Sequence, residues 1–190
     1  MIFGLAVGLV LVGAPAAATP AVACCFPRAA ELDEFRCRWY CNHLHAMAEQ
    51  PLPLGAEGYR FLYLRTFHAP ISVRVQRIGQ RWLLSARLLD GHGGYGPGHV
   101  AKRTDKELSP EEARMLEDRL RTAAFWGNPW KEQQDTGVDG ARWILEGRRG
   151  SEYRLVDIWS PQGAHYERFR EACLYFLDLA KLRPTQDEIY

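Results

Sequence analysis

Cys37, Cys41 and His45 recur at every fourth position in the stretch CRWYCNHLH. On a helix each such step drifts by about 40°, so the three share one broad face. Two soft thiolates and an imidazole there would suit Cu(I) or Zn(II), although the spacing matches no CxxC or HxxxH zinc pattern. The cysteines have a second chemistry. They could form a disulfide with one another, or one of them could pair with Cys25 or Cys173. Plain surface positions are the third alternative.

A second set is Arg65, His68, Asp139 and Glu146. Arg65 ends a predicted strand, and His68 follows in a turn before Pro70. Asp139 and Glu146 flank the start of a later strand. Strand ends of an antiparallel sheet gather at common edges, so these groups could meet at one rim. Arg65 is then expected to contact a carboxylate of residues 137–146, as a brace between sheet halves or as the floor of a ligand site. A hydrolase reading would use His68 with Asp139 or Glu146 as its carboxylate. The structural alternative pairs Glu146 and Asp157 with Arg142, Arg154 or Arg65. No G-x-S-x-G or HExxH appears, and the serines fall in strands, a cap or turns. Cys173 sits on an apolar helical stripe and reads as core.

Tyr95 and Trp126 lie in predicted loops, where aromatic side chains often serve binding. The loop DGHGGYGPG (residues 90–98) could offer backbone N–H groups to an anion. It lacks the Gly-Lys-Ser/Thr of a phosphate loop, and no helix starts after it. It reads as a hairpin loop in which glycine supplies positive φ. No motif requires a cofactor.

The first charged residue is Arg28. The apolar run Ile2–Val12, the small residues after it and the Ala21-Val22-Ala23 site mark residues 1–23 as a cleaved signal peptide. The apolar run is too short for a spanning helix, which needs roughly 20 residues. The n-region lacks Lys and Arg, and Arg28, Arg36 and Arg38 sit on the wrong side for a cytoplasmic-facing anchor. Ala21-Val22-Ala23-Cys24 is similar to a bacterial lipobox with Ala in place of the usual Leu, so acylation of Cys24 and ordinary cleavage are both open. Export allows disulfides. Five cysteines leave one unpaired thiol unless Cys24 is lipidated.

The elements that must position these groups follow from periodicity. Glu31–Glu49 reads as a helix with Leu32, Phe35, Trp39 and Met47 near one stripe and Leu44 at its edge, stopped by Pro51 and Pro53. Tyr59–Arg65, Ile71–Arg77 and Arg81–Leu89 read as strands, with Ile71, Val73 and Val75 inward and Ser72, Arg74 and Gln76 outward. His99–Thr104 is a short edge strand. Ser109-Pro110-Glu111-Glu112 is a capping box opening a helix with Leu116, Leu120 and Ala123 on one face. Two more strands, Arg142–Arg148 and Glu152–Trp159, precede a last helix, His165–Leu182, striped by Tyr166, Phe169, Cys173, Phe176, Leu177 and Ala180. Hairpin-length links imply antiparallel pairing. The expectation is an α+β fold, order α-β-β-β-(β)-α-β-β-α, with five or six strands and three helices packed mainly on one face. Residues 24–190 form one domain. Hydrophobic content of 47% and aromatic content of 12% argue against disorder, and a net charge of +1 gives no electrostatic case for nucleic acid.

Four stretches together resemble an uncharacterised family of bacterial exported proteins: YRFLYLRTFHAP (Tyr59–Pro70), GGYGPG (Gly93–Gly98), Phe125-Trp126, and GVDGARWILEG with YRLVDIWSP (Gly137–Pro161). The resemblance implies a single domain of unknown function, often carrying an export signal, and brings no activity or ligand. The leading expectation is an exported, non-enzymatic, periplasmic or membrane-tethered domain that binds an unknown protein or small molecule. A hydrolase using His68, or metal binding through Cys37, Cys41 and His45, are the alternatives.

Overall fold

A computed structural model describes residues 24–27, 32–127, 130 and 139–190. The expected signal segment, residues 1–23, lies outside the described residues, as does most of the 127–140 connection. Six antiparallel strands form one sheet: β1 (Glu57–Arg65), β2 (Ile71–Ile78), β3 (Arg81–Leu89), β4 (Val100–Glu107), β5 (Ala141–Arg149) and β6 (Glu152–Trp159). Three helices, α1 (Glu34–Ala46), α2 (Pro110–Thr122) and α3 (Glu167–Ala180), complete an α+β architecture in the expected order, edge strand included.

The spatial order is β4-β3-β2-β1-β5-β6. Four strands follow one another as a meander, and the β5–β6 hairpin adds to the free side of β1. That makes β1 central, and every residue from Gly58 to Arg65 is buried. The outer strand β4 carries Lys102, Arg103, Asp105, Lys106 and Glu107, charges that discourage further strand pairing.

Alternation splits the sheet into two unlike faces. Phe61, Tyr63, Val73, Val75, Trp143 and Leu145 face α2 and α3, meeting Leu116, Leu120, Phe169, Cys173, Phe176 and Leu177 in an apolar, aromatic core. The capping box of α2 is formed as expected, with Ser109 Oγ accepting from Glu112 N and Glu112 accepting from Ser109 N. On the other face Leu62, Leu64 and Ile144 meet Phe26, together with Tyr40 and Leu44 of α1 and its C-cap Met47. Two helices therefore cover one face and the third covers part of the other.

Helix α1 is shorter than Glu31–Glu49. Asp33 caps it by accepting from Arg36 N at 2.8 Å, and the chain turns out at Ala48, whose φ is +57°. Of the expected stripe, Leu32 and Met47 are buried and Trp39 packs against the same cluster, and Phe35 falls outside it. Phe35 is 73% exposed, whereas Cys37, Tyr40, Cys41 and Leu44 are buried. Two disulfides turn the cysteine side of the helix inward, so cysteines and a tyrosine define its apolar stripe.

Because α1 covers only part of its face, no described element covers a wing of β2, β3 and β4. There Arg74, Gln76, Leu83, Ser85 and Arg87 are half-buried, and Ile78, Arg103 and Asp105 are exposed. Ser72, expected to point to solvent, lies on this same face but is fully buried, because α1 makes it interior.

Candidate functional site

Arg65 and His68 do meet a carboxylate at one rim, but it comes from the chain's last residues. Arg65 Nη1 donates to Glu188 Oε2 at 2.6 Å and Nη2 to the Ala69 carbonyl at 3.1 Å. The expected contact with residues 137–146 is therefore corrected. The final segment folds over the sheet end, with Ile189 buried, Trp143 Nε1 donating to the Tyr190 carbonyl at 2.9 Å, and the Tyr63 hydroxyl directed at the Glu188 and Tyr190 carbonyls. The polar tail gave no periodic signal of this.

His68 Nδ1 lies 2.8 Å from the Tyr190 hydroxyl and its Nε2 lies 3.9 Å from Glu188. Asp139 is exposed at the same end, close enough for its charge to act on Tyr190. Burial chiefly, with Glu188 and Asp139, raises that phenol against the lowering effect of the Phe67 backbone and Arg65. No Ser or Cys is bonded to His68 among the described residues. The rim thus holds an imidazole, a phenol and the Glu188 and Asp139 carboxylates beside the Arg65 guanidinium.

Glu146 is not at this rim. It stands five residues back along the β1–β5 ladder, opposite Arg60, on the α1 face. Both side chains are 1% exposed and form an ion pair, and Tyr153 donates its hydroxyl to Glu146 at 2.7 Å. Glu49, just beyond α1, approaches Arg60 at 3.6 Å and Arg74 at 3.5 Å. A second group on this face joins Asp157 to Arg142 at 3.6 Å and Arg36 at 3.7 Å, with the Tyr40 hydroxyl donating to it at 2.8 Å. Burial, reinforced by the charge of Asp157, pushes the Tyr40 phenol far above its ordinary range. These acids neutralise buried arginines, the tolerated way to hold charge inside a protein.

The cysteines form two disulfides, Cys24–Cys37 and Cys25–Cys41, tying an N-terminal Cys-Cys pair across two turns of α1. His45 is exposed beside them, with Nε2 3.5 Å from Cys25 Sγ. Cys37 and Cys41 share a helix face as their spacing requires. In the disulfide form neither offers a thiolate, and a soft metal ion would need the reduced form, in which Cys24, Cys37 and Cys41 would be the clustered donors. Acylation of Cys24 would use the sulfur that here joins Cys37, so the lipid and this disulfide are mutually exclusive. Cys173 is free, fully buried and core, and burial raises its thiol well above the usual value.

The glycine-rich loop spends its backbone donors internally. Gly93 N and Gly94 N bond the His68 and Thr66 carbonyls at 3.0 and 3.1 Å, and Gly91, His92 and Tyr95 N–H groups bond carbonyls within the loop. Trp39 Nε1 donates to the Gly93 carbonyl at 2.8 Å. A Cβ on Gly93 would stand 2.5 Å from the Arg65 carbonyl, so glycine is required where the loop lies on β1. Tyr95 is exposed, tilted against Phe67 with centroids 6.2 Å apart. Trp126 edges a hollow of about 410 Å³. Its indole N–H points at the Tyr59 hydroxyl at 3.4 Å, and the Arg149 guanidinium lies 4.9 Å from the centroid of its ring. Internal contacts already occupy much of Trp126.

The uncovered wing offers more unused capacity, and nothing in the motif reading pointed to it. Arg74, Ser85, Arg87 and Arg103 line a hollow of about 250 Å³ against the end of α1 (Met47 to Gln50). A groove of about 360 Å³ beside it, lined by Gln76, Ile78 and Leu83, shares Arg74 and Ser85. Burial would raise the Asp105 carboxyl there. Hydrogen bonds from Arg87 and Ser85 and the charges of Arg87 and Arg103 outweigh it and hold the group below its ordinary value. The alternation of ISVRVQR and RWLLSARLL carried the signal, since polar residues repeat on one face of adjacent strands. Comparison with known proteins adds nothing to this geometry: no family model, curated protein or solved structure matches the chain.

Proposed function

We propose that this chain is an exported, non-enzymatic domain, periplasmic or membrane-tethered, that binds a small ligand or a partner on the uncovered wing of β2, β3 and β4. The observation that carries the reading is the wing itself. It is a half-buried to exposed sheet surface with two open hollows, combining arginine donors (Arg74, Arg87, Arg103), a hydroxyl (Ser85) and apolar side chains (Leu83, Ile78). Ligand sites commonly join a few convergent polar groups to apolar lining. The hydrolase alternative has less behind it. Glu146 is locked against Arg60, and His68 has Tyr190 and Glu188 as neighbours. Two disulfides agree with an oxidising compartment.

A thermal-shift screen of the full chain against small carboxylates, sugars, sugar phosphates and short peptides tests this reading. Ser85→Trp, which fills the centre of the wing, should abolish the stabilisation given by hits. Hits that stabilise wild type and Ser85→Trp equally would place binding elsewhere and reject the wing. Intact mass of protein from the native host tests export. Cleavage before Cys24 is expected, with either a lipid or two intact disulfides, and a full-length species would reject it.

A further inference from the structure

The α1 face contains two pairs of arginines set directly opposite each other by the strand register. Arg60 faces Arg74 between β1 and β2, and Arg87 faces Arg103 between β3 and β4. Like charges so placed repel. The first pair is resolved internally. Glu49 lies 3.6 and 3.5 Å from the two guanidiniums, and the Gln50 carbonyl accepts from both at 3.0 and 2.9 Å.

The second pair lacks such a bridge. Arg87 Nη1 donates to the Ala86 carbonyl at 2.8 Å and to Asp105 at 2.9 Å, but that carboxylate is 59% exposed, and exposed pairs contribute little. Arg103 makes no hydrogen bond or ion pair among the described residues. The acid that lines the 250 Å³ hollow, Glu49, is engaged by Arg60 and Arg74, so the two guanidiniums share one carboxylate and one positive charge is met by solvent alone. The adjoining groove, with Leu83 and Ile78, continues from Ser85 and Arg74.

We propose that the hollow binds the carboxylate of a small amphiphilic acid. The carboxylate takes at Arg87–Arg103 the place that Glu49 takes at Arg60–Arg74, and the apolar body lies along Leu83 and Ile78. This rests on the wing reading above. One uncompensated positive charge matches a singly charged head group better than a dianionic phosphate. The hollow is smaller than the roughly 300–1,000 Å³ of whole-ligand sites, so it fits a head group whose tail continues into the groove.

The test is titration of ¹⁵N-labelled full-length mature protein, disulfides intact, with hexanoate, acetate and hexanamide at constant ionic strength. Hexanoate should shift the Ser85, Arg87 and Arg103 amides saturably. Acetate should bind about tenfold or more weakly, since each buried methylene adds affinity. Hexanamide should bind weakest. Arg103→Gln should lower hexanoate affinity about tenfold, the loss of a charge-assisted contact, and Leu83→Ser should shrink the advantage over acetate. The exposed Arg114→Gln on α2 controls for net charge and should change nothing. Both wing residues are exposed or half-buried, and unchanged melting temperatures will show that the variants fold. Absence of saturable shifts, or equal affinity in Arg103→Gln, would overturn the proposal. If hexanamide binds as tightly as hexanoate and Ser85→Trp blocks it, the carboxylate assignment fails while the wing reading survives. If neither binds, the carboxylate assignment fails and the wing reading is judged by its own screen.

Discussion

Arg60 and Glu146 show what a single residue can cost on the α1 face. Both are 1% exposed, and Arg60 also serves Glu49 and the Gln50 carbonyl. Removing one partner leaves buried charge without compensation. Arg60→Met should therefore destabilise by about 3–5 kcal/mol, and Arg60→Met with Glu146→Leu should recover much of that. Urea midpoints of the single and double variants check this; a double variant no more stable than the single would show that apolar replacement cannot fill the site. His43 supplies a pH dependence. It is buried, and desolvation lowers its pKa below the ordinary 6.5 despite the Trp39 and His92 backbone contacts. The unfolded state then binds more protons, so the contribution is full above about pH 6.5 and is lost as pH falls below it. His43→Gln should flatten part of the stability loss as pH falls below about 6.5, measured as the change in urea midpoint. Unequal visibility in sequence separates these residues. Glu146 and Asp157 could be read as ion-pair members, because acids in strands need partners. Which arginines they meet depends on register, and the sequence offered Arg142, Arg154 and Arg65 with equal claim.

At the scale of elements, α3 is the clearest case of local pattern predicting contact. Phe169, Cys173 and Phe176 are fully buried against the sheet. Phe176→Ala should cost about 3–5 kcal/mol in chemical denaturation, the usual range for a fully buried aromatic. A shift of under a degree in the melting temperature would contradict the packing described. The rim formed by β1 and the last residues behaves differently. Glu188 is 35% exposed, so Glu188→Gln should cost no more than about 1 kcal/mol despite its 2.6 Å contact with Arg65. Gly93→Ala, by contrast, forces a Cβ against backbone and should destabilise by about 1–3 kcal/mol, as overpacking does. Helix α1 was legible as a helix, and Leu32, Leu44 and Met47 do lie on its buried side. That side also takes in Cys37, Tyr40 and Cys41, and a hydrophobicity count gives such residues too little weight against Phe35.

For the molecule as a whole, the disulfides hold the second layer in place. They link residues 13 and 16 apart, and a loop of about 15 residues is worth roughly 3 kcal/mol in the chain-entropy account. The two loops overlap, so their effects should not add fully. Reduction by a dithiol should lower the melting temperature by calorimetry, and α1 should loosen before the core between sheet, α2 and α3. Alkylation of the native reduced protein should reach the N-terminal and α1 cysteines and spare Cys173, which is completely buried. Rapid labelling of Cys173 would refute this order of opening.

The sequence by itself determined the elements and the class of fold. Alternation in ISVRVQR and RWLLSARLL, the Ser109 capping box and the stripe of α3 are local signals, and short links dictate antiparallel neighbours. Tertiary structure decided everything that depends on which distant strands become adjacent. The β5–β6 hairpin pairs with β1, which makes β1 central in the sheet and sets Glu146 against Arg60 rather than beside Arg65. The last residues reach Arg65 because the chain end returns across the sheet, and no periodicity encodes that return. The arginine pairs on the wing arise from register between strands, a property of no single segment. Local periodicity fixes what a segment becomes, whereas long-range pairing, selected by burial of the whole core, fixes which side chains meet.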